Sequence, residues 1–137
     1  MVFANISLLA VLLSTIFAMV VGGLWYGPLF GKPWARMMGI STKDMKNMPL
    51  TAPQAMGLGF ITTLLISAAL AALLNWFAVP NFVGAIKVAL FVWFGFFIPL
   101  LMDTFLWQGK EFNVVLLNAA YRLVSLVGMV LIIFYVG

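Results

Sequence analysis

Three polar residues lie where the surrounding sequence is almost entirely apolar: Asp103, Asn118 and Arg122. If the last apolar run begins near Phe112, a helical rise of about 1.5 Å per residue places Arg122 about 15 Å deep, close to the middle of a bilayer. The same arithmetic places Asp103, which precedes Gln108, about 7–8 Å from the same surface. A charge near the bilayer centre costs at least about 2.5–3.5 kcal/mol, so each one needs a partner. We therefore expect these three residues to form one polar cluster between the third and fourth runs.

This polar cluster has three interpretations that the sequence leaves open. Asp103 and Arg122 could form a buried ionic clasp that fixes how two helices pack. The cluster could instead line a polar cavity that binds an anion or a lipid headgroup, or that moves protons. In the third arrangement Asp103 faces cytoplasmic water and does not pair with Arg122.

Catalysis has little support in the composition. The chain has no His and no Cys, which removes thiol nucleophiles and the usual zinc and copper ligands. Its serines lack a histidine base, and arginine or lysine is a poor general base. We expect no enzymatic activity, no metal site and no cofactor. The net charge of +4 lies mostly in one short stretch, whereas a nucleic-acid-binding domain needs a broad basic face.

The elements that must position the cluster are four long apolar runs. Hydrophobic residues make up 66% of the 137 residues and charged residues 7%, against about a quarter charged in soluble domains. The runs cover residues 3–24, 55–78, 82–107 and 112–136, and each is long enough to cross a bilayer. The first run lacks a basic leading segment, so we expect a retained span and not a cleaved signal peptide. The chain is predicted to be one domain, residues 1–137.

The connections between the runs predict how the helices are arranged. Only Val79, Pro80 and Asn81 separate the second run from the third, and Asn81 is a good helix N-cap. A connection this short requires antiparallel neighbours. The predicted fold is therefore an all-α, membrane-embedded four-helix bundle built of two antiparallel hairpins.

The positive charges predict the orientation in the membrane. The first connection carries Lys32, Arg36, Lys43 and Lys46, and the third carries Lys110. The opposite side has only Lys87, whose long stem lets its ammonium reach the headgroups. The positive-inside rule then places the first and third connections in the cytoplasm and both termini outside, in the cell (inner) membrane.

The first connection, residues 25–54, is predicted to have more structure than a plain linker. Gly27-Pro28 is predicted to end the first helix, and Pro33 to Gly39 should form a short helix in the membrane interface. Ser41 and Asp44 form a capping box for a second short helix. We call the aromatic first part of this connection the anchor loop; it comprises Trp25, Tyr26, Gly27, Pro28, Phe30, Gly31 and Trp34. Anionic lipid headgroups are expected partners of Lys32, Arg36, Lys43 and Lys46.

Small residues recur at every fourth position in the first two runs, which lets helices approach closely. They are Ser14, Ala18 and Gly22 in the first run, and Gly59, Thr63, Ser67 and Ala71 in the second. We expect them to pack the first hairpin together; an alternative is a subunit interface.

Two segments carry a family resemblance. The run from Gly23 to Trp34, which reads GLWYGPLFGKPW, is followed by Met38-Gly39, and the stretch from Asn118 to Leu123 reads NAAYRL. Together they resemble the motifs of a small membrane-protein family catalogued as domain of unknown function 1761. The resemblance implies four spans and no assigned activity.

Two functions follow as expectations. The first is an oligomeric binding or transport-type bundle with a polar site around Asp103 and Arg122; four spans seldom enclose a pathway alone, so transport would need a homo-oligomer. The alternative is a non-catalytic scaffold or accessory subunit that packs against lipids or another membrane protein. A hydrated cavity at the cluster would favour the first.

Overall fold

The computed structural model describes residues 6–39 and 52–137. The predicted second short helix from Ser41, and the basic residues Lys43 and Lys46, lie outside these residues. The first short helix is present as Gly31–Met38, and Gly39 ends it in the left-handed conformation at φ +71°. Glycine adopts this conformation without steric cost, so Gly39 closes the helix as predicted.

The described chain is helical throughout, with no strand in residues 6–39 and 52–137. Helix α1 is Leu8–Leu24, and a π-helical segment, Trp25–Leu29, extends it. The remaining helices are α2 (Gly31–Met38), α3 (Ala52–Trp76), α4 (Phe82–Val92), α5 (Ile98–Leu106) and α6 (Phe112–Val136). A second π-helical segment, Trp93–Phe97, joins α4 to α5 without a break.

Four helical stretches are long and apolar enough to cross a membrane, and the chain is therefore a multi-pass membrane protein by length and composition. They are Leu8–Leu29, Pro53–Trp76, Phe82–Leu106 and Phe112–Val136. The second, third and fourth predicted runs agree with these stretches to within two residues, because bilayer thickness sets the length of an apolar helix. The first run, predicted at 3–24, instead extends five residues further, to Leu29. Asn81 caps α4 as predicted, since its side chain accepts a hydrogen bond from the Gly84 N–H at 2.9 Å.

The prediction that Gly27-Pro28 ends the first helix is wrong. The chain instead widens into the π-helical segment, which contains Pro28, and the Phe30 N–H donates to the Trp25 carbonyl at 2.8 Å. Proline lacks an N–H and its ring crowds the preceding turn. A wider turn accommodates the ring, and the helix continues to Leu29. The second π-helical segment likewise lies just before a proline, since it ends at Phe97, two residues before Pro99.

Helix α6 is the centre of the fold. It packs most extensively on α1 and on α4, and it also contacts α2, α3 and α5. Helix α3 packs mainly on α1 and only slightly on α4. The buried core accordingly gathers Leu70 of α3 with Leu126, Met129 and Val130 of α6.

Part of the small-residue stripe joins α1 to α3. The Ser14 and Ser67 hydroxyls hydrogen-bond each other, and the Ser67 hydroxyl also donates to the Val11 carbonyl at 3.0 Å. Gly59 and Thr63 of α3 face the side chain of Met19. Each hydroxyl is satisfied, which is required where water cannot reach it. Ala71 is buried in the common core.

The other end of the stripe faces a different helix. The Tyr121 hydroxyl of α6 donates to the Ala18 carbonyl at 3.2 Å, and a Cβ on Gly22 would lie 2.9 Å from that hydroxyl. Gly22 thus makes room for a tyrosine of α6, and the Ala18 carbonyl accepts its hydrogen bond. Small residues at every fourth position predict a close approach of two helices, but they do not identify the partner helix.

Candidate functional site

The anchor loop folds back against the last helix. The Tyr26 ring lies 5.4 Å from the Trp34 ring and 5.3 Å from the Tyr121 ring, between centroids. The Trp25 and Phe30 rings lie 4.7 Å apart, and Trp25 also approaches Tyr121 at 6.3 Å. Aromatic pairs at these separations are stabilising. The aromatic residues therefore pack on one another and on α6, besides any contact with lipid headgroups.

Gly31 allows the turn between the π-helical segment and α2. A Cβ at this position would lie 2.5 Å from the Tyr26 carbonyl oxygen, a distance that a side chain cannot adopt. Gly27 differs, because a Cβ there would meet nothing within 4 Å. Of the two glycines that bracket Pro28 to Phe30, only Gly31 is required by a close backbone approach.

A hydrogen bond joins the anchor loop to the predicted polar cluster. The Tyr26 hydroxyl donates to the side-chain oxygen of Asn118 at 2.5 Å. Because the carboxamide oxygen accepts from tyrosine, the orientation of the amide is set, and its NH₂ group is the part left for another partner. The anchor loop and the polar cluster, which the sequence predicts as separate features, thus belong to one site.

Arg122 lies one helical turn beyond Asn118 and contacts aromatic rings. Its guanidinium carbon lies 5.5 Å from the Phe97 ring centroid and 5.1 Å from that of Tyr121. Rings at this distance attract a cation, by about 0.5–1 kcal/mol when exposed and by about 2 kcal/mol or more when desolvated. Phe97 belongs to the second π-helical segment, so that segment brings an aromatic ring to the arginine.

Asp103 does not join this arrangement. Its side chain is exposed, and within residues 6–39 and 52–137 it makes no ion pair with Arg122. Helix α5 instead turns Leu101 and Thr104 toward Arg122, three positions apart on one face. Asp103 precedes Thr104 by one residue, about 100° around the helix. The ionic clasp, one of the three interpretations that the sequence leaves open, is not formed among the described residues, because Asp103 lies on a different face of α5 from the residues that line the cleft of Arg122.

An open cleft of about 370 Å³ runs beside Arg122, between the anchor loop and helices α5 and α6. Its polar lining comes from Tyr26, Thr104, Gln108, Asn118 and Arg122, and its apolar lining from Trp34, Met38 and Leu101. No carboxylate lines it among the described residues. The structure thus brings Asn118 and Arg122 to one cleft with Tyr26 and Trp34, and leaves Asp103 outside.

Helix α2 contributes to one wall of the cleft and is hydrogen-bonded to the third connection. The Lys110 ammonium donates to the Met38 carbonyl, at the C-terminal end of α2, at 2.9 Å. A cation at a helix C-terminus complements both the unpaired carbonyl and the helix dipole. Lys32 and Arg36 of the same helix are exposed.

Several residues of the site were not predicted to belong to it: Phe97, Leu101, Thr104, Gln108, Lys110 and Tyr121. Tyr121 lies in the NAAYRL motif, beside Arg122. A buried tyrosine in a membrane span needs a hydrogen-bond acceptor for its hydroxyl, and this requirement could have indicated its role. For the others, no sequence signal indicates which face of a helix meets α6.

One comparison with known proteins gave a match. Residues 9–134 match the family described as "Protein of unknown function (DUF1761)". The chain belongs to this family. The resemblance carried by the GLWYGPLFGKPW and NAAYRL segments is thereby confirmed, and the match contains all residues of the cleft. Neither the curated proteins nor the solved structures compared with this DUF1761 chain gave a match.

Proposed function

We propose that this DUF1761 protein is a membrane-embedded binding protein of the transport type, whose ligand enters the cleft beside Arg122. The observation that carries the proposal is the state of Arg122. It is half-buried, lies in the middle of a membrane-spanning helix, and has no ion-pair or hydrogen-bond partner among residues 6–39 and 52–137. A charge at that position is costly, and intramembrane ionisable residues commonly mark a binding site or a solute pathway.

The neighbours of Arg122 support binding without catalysis. The cleft offers two hydroxyls, two carboxamides and a guanidinium, and the chain has no His or Cys to act as a base or nucleophile. The buried serines serve packing: Ser14 and Ser67 bond each other, and Ser125 bonds the sulfur of Met129 at 3.6 Å. We therefore propose that the protein is not an enzyme.

The proposal includes the architecture and the assembly. The chain is proposed to be a bundle of two antiparallel hairpins, with the first and third connections in the cytoplasm and both termini outside the cell membrane, in agreement with the distribution of Lys and Arg. A homo-oligomer is supported by the third span, of which only 11% is buried within the protomer, against 28–33% for the others. Native mass spectrometry from nanodiscs measures the number of copies; a monomer would remove the oligomer from the proposal.

Cysteine labelling tests whether the cleft is open to water. The chain has no native Cys, so single-cysteine variants need no background substitutions. Leu101→Cys lies in the cleft and Leu100→Cys, at nearly the same depth, lies exposed on the lipid side of the helix. A water-soluble maleimide should label Leu101→Cys in nanodiscs at least about tenfold faster than Leu100→Cys, because the reactive thiolate forms only where water reaches it. Equal and slow labelling of both would reject a solute site and favour the scaffold alternative.

A further inference from the structure

We infer that the ligand of the cleft is a phosphate-type oxyanion, either the phosphate of a lipid headgroup or a free phosphate. The inference rests on the proposed function, since it names the ligand class of the same cleft. It follows from the hydrogen-bonding groups that the described residues present to the cleft and from the absence of a carboxylate among them.

The first contribution is the set of donors on Arg122. A guanidinium carries five N–H donors and no acceptor, and it matches the geometry of a phosphate or carboxylate with two parallel hydrogen bonds. Phe97 and Tyr121 attract its charge through their rings, but within residues 6–39 and 52–137 its N–H groups have no hydrogen-bond acceptor. In a mostly apolar setting such donors need an acceptor, and an anion supplies both acceptor atoms and the opposite charge.

The second contribution is the orientation of Asn118. Its oxygen already accepts from the Tyr26 hydroxyl at 2.5 Å, so the amide presents its NH₂ donors to the cleft. An Asn free to rotate could serve either a donor or an acceptor ligand. Tyr26 removes that freedom and is a positioning residue, because it fixes the amide without needing to touch the ligand.

The third contribution is the balance of charge around the cleft. Arg122 lines the wall, and the Lys110 ammonium lies at the end of α2 next to Met38, which lines the wall as well. The carboxylate of Asp103 lies exposed and outside the lining. A cation ligand would meet a positive wall, whereas an oxyanion meets donors and positive charge together.

The test measures binding in nanodiscs with two probes. The first probe is inorganic phosphate, added against chloride at matched ionic strength, with thermal unfolding as the readout. The second is retained phospholipid, counted by native mass spectrometry in phosphatidylcholine nanodiscs with and without phosphatidylglycerol. Arg122→Gln removes the charge and Arg122→Lys keeps it but loses the planar fork. Arg36→Gln is the matched control, because Arg36 is an exposed arginine of α2 outside the cleft lining.

Two outcomes support the inference and identify the source of the oxyanion. A phosphate-dependent rise in Tm that is lost in Arg122→Gln and kept in Arg36→Gln indicates a free phosphate. A retained phospholipid that is lost in Arg122→Gln and kept in Arg36→Gln indicates a headgroup. In either case Arg122→Lys should bind more weakly than wild type. Loss of the probe in Arg36→Gln to the same extent as in Arg122→Gln would instead indicate surface attraction and overturn the site.

A second variant keeps the test informative if Arg122→Gln does not fold. Tyr26→Phe retains the ring contacts and removes the hydroxyl that fixes Asn118, so affinity should fall by roughly three- to tenfold. Tyr135→Phe, at an exposed tyrosine near the C-terminus of α6, is its control and should bind as wild type. Unchanged affinity in Tyr26→Phe would overturn the role of the oriented amide. Labelling of Leu101→Cys without binding of either probe would reject the oxyanion while leaving the proposed function intact.

Discussion

Helix α6 meets its neighbours in two different ways along its length. Around Gly128 it is closed by shape: a Cβ there would lie 2.1 Å from the nearest Phe17 ring carbon, and Leu126, Met129 and Val130 are almost fully buried. Around Arg122 it is open, with aromatic rings and a cleft in place of interlocked aliphatic side chains. We call these the closed region and the open region.

The comparison separates what holds the protein together from what it can bind. In lipid, helices associate through close packing and hydrogen bonds, not through hydrophobic burial. The closed region meets this requirement with small residues and satisfied hydroxyls. The open region does not need close packing, since α1 and α4 already provide most of the packing on α6. It can therefore keep a charged side chain facing a cavity. Substitutions in the closed region should therefore affect stability most, and substitutions in the open region should affect binding most.

The largest effect on stability is expected from Gly128→Ala. The added methyl group would occupy the position of the Phe17 ring, which must leave its site on α6. Overpacking of this kind typically costs about 1–3 kcal/mol, measurable as a lower Tm in nanodiscs. Gly57→Ala, where a Cβ meets nothing within 4 Å, should keep the wild-type Tm. The double variant Phe17→Leu/Gly128→Ala should recover part of the lost stability, because the smaller side chain leaves room for the methyl group. If the losses of the two single variants simply add in the double variant, the clash with the Phe17 ring is not the cause.

A smaller effect on stability is expected from Gly22→Ala, where the two regions meet. The new Cβ would displace the Tyr121 hydroxyl from its bond to the Ala18 carbonyl. Intramembrane hydrogen bonds average about 0.6 kcal/mol, and with the steric shift the loss should reach about 1 kcal/mol. Gly23→Ala is the neighbouring control, with nothing within 4 Å of its Cβ. Equal Tm values for the two alanine variants would show that Tyr121 does not pack against Gly22.

The smallest effect on stability is expected in the open region. Asp103→Asn should leave the Tm unchanged, because the carboxylate is exposed and not paired with Arg122. Arg122→Gln loses two ring contacts but also removes a costly intramembrane charge. Its free energy of unfolding should therefore change by less than about 1 kcal/mol, with a correspondingly small change in Tm. A large loss in both variants, with coupling between them in a double-mutant cycle, would restore the ionic clasp.

The amino-acid sequence by itself determined the features that depend on length, depth and local chemistry. The four spans follow from bilayer thickness, the Asn81 cap and the Gly39 terminus follow from local backbone requirements, and the depth of Arg122 follows from the helical rise. The family assignment likewise rests on contiguous motifs. None of these requires knowledge of which helix lies beside which.

Only the tertiary structure decided the rotation of each helix and the partners that result. A helix of nearly continuous hydrophobicity gives no polar face to mark which side is buried, because lipid and protein interior are equally apolar. For that reason the pattern predicts that Asp103 meets Arg122, whereas Asp103 lies outside the cleft lining. It likewise predicts that Gly22 packs against α3, whereas Gly22 lies against Tyr121 of α6. The same missing information concealed the cleft, which exists because Tyr26, Asn118 and Arg122 come from distant parts of the chain and meet on one side of α6.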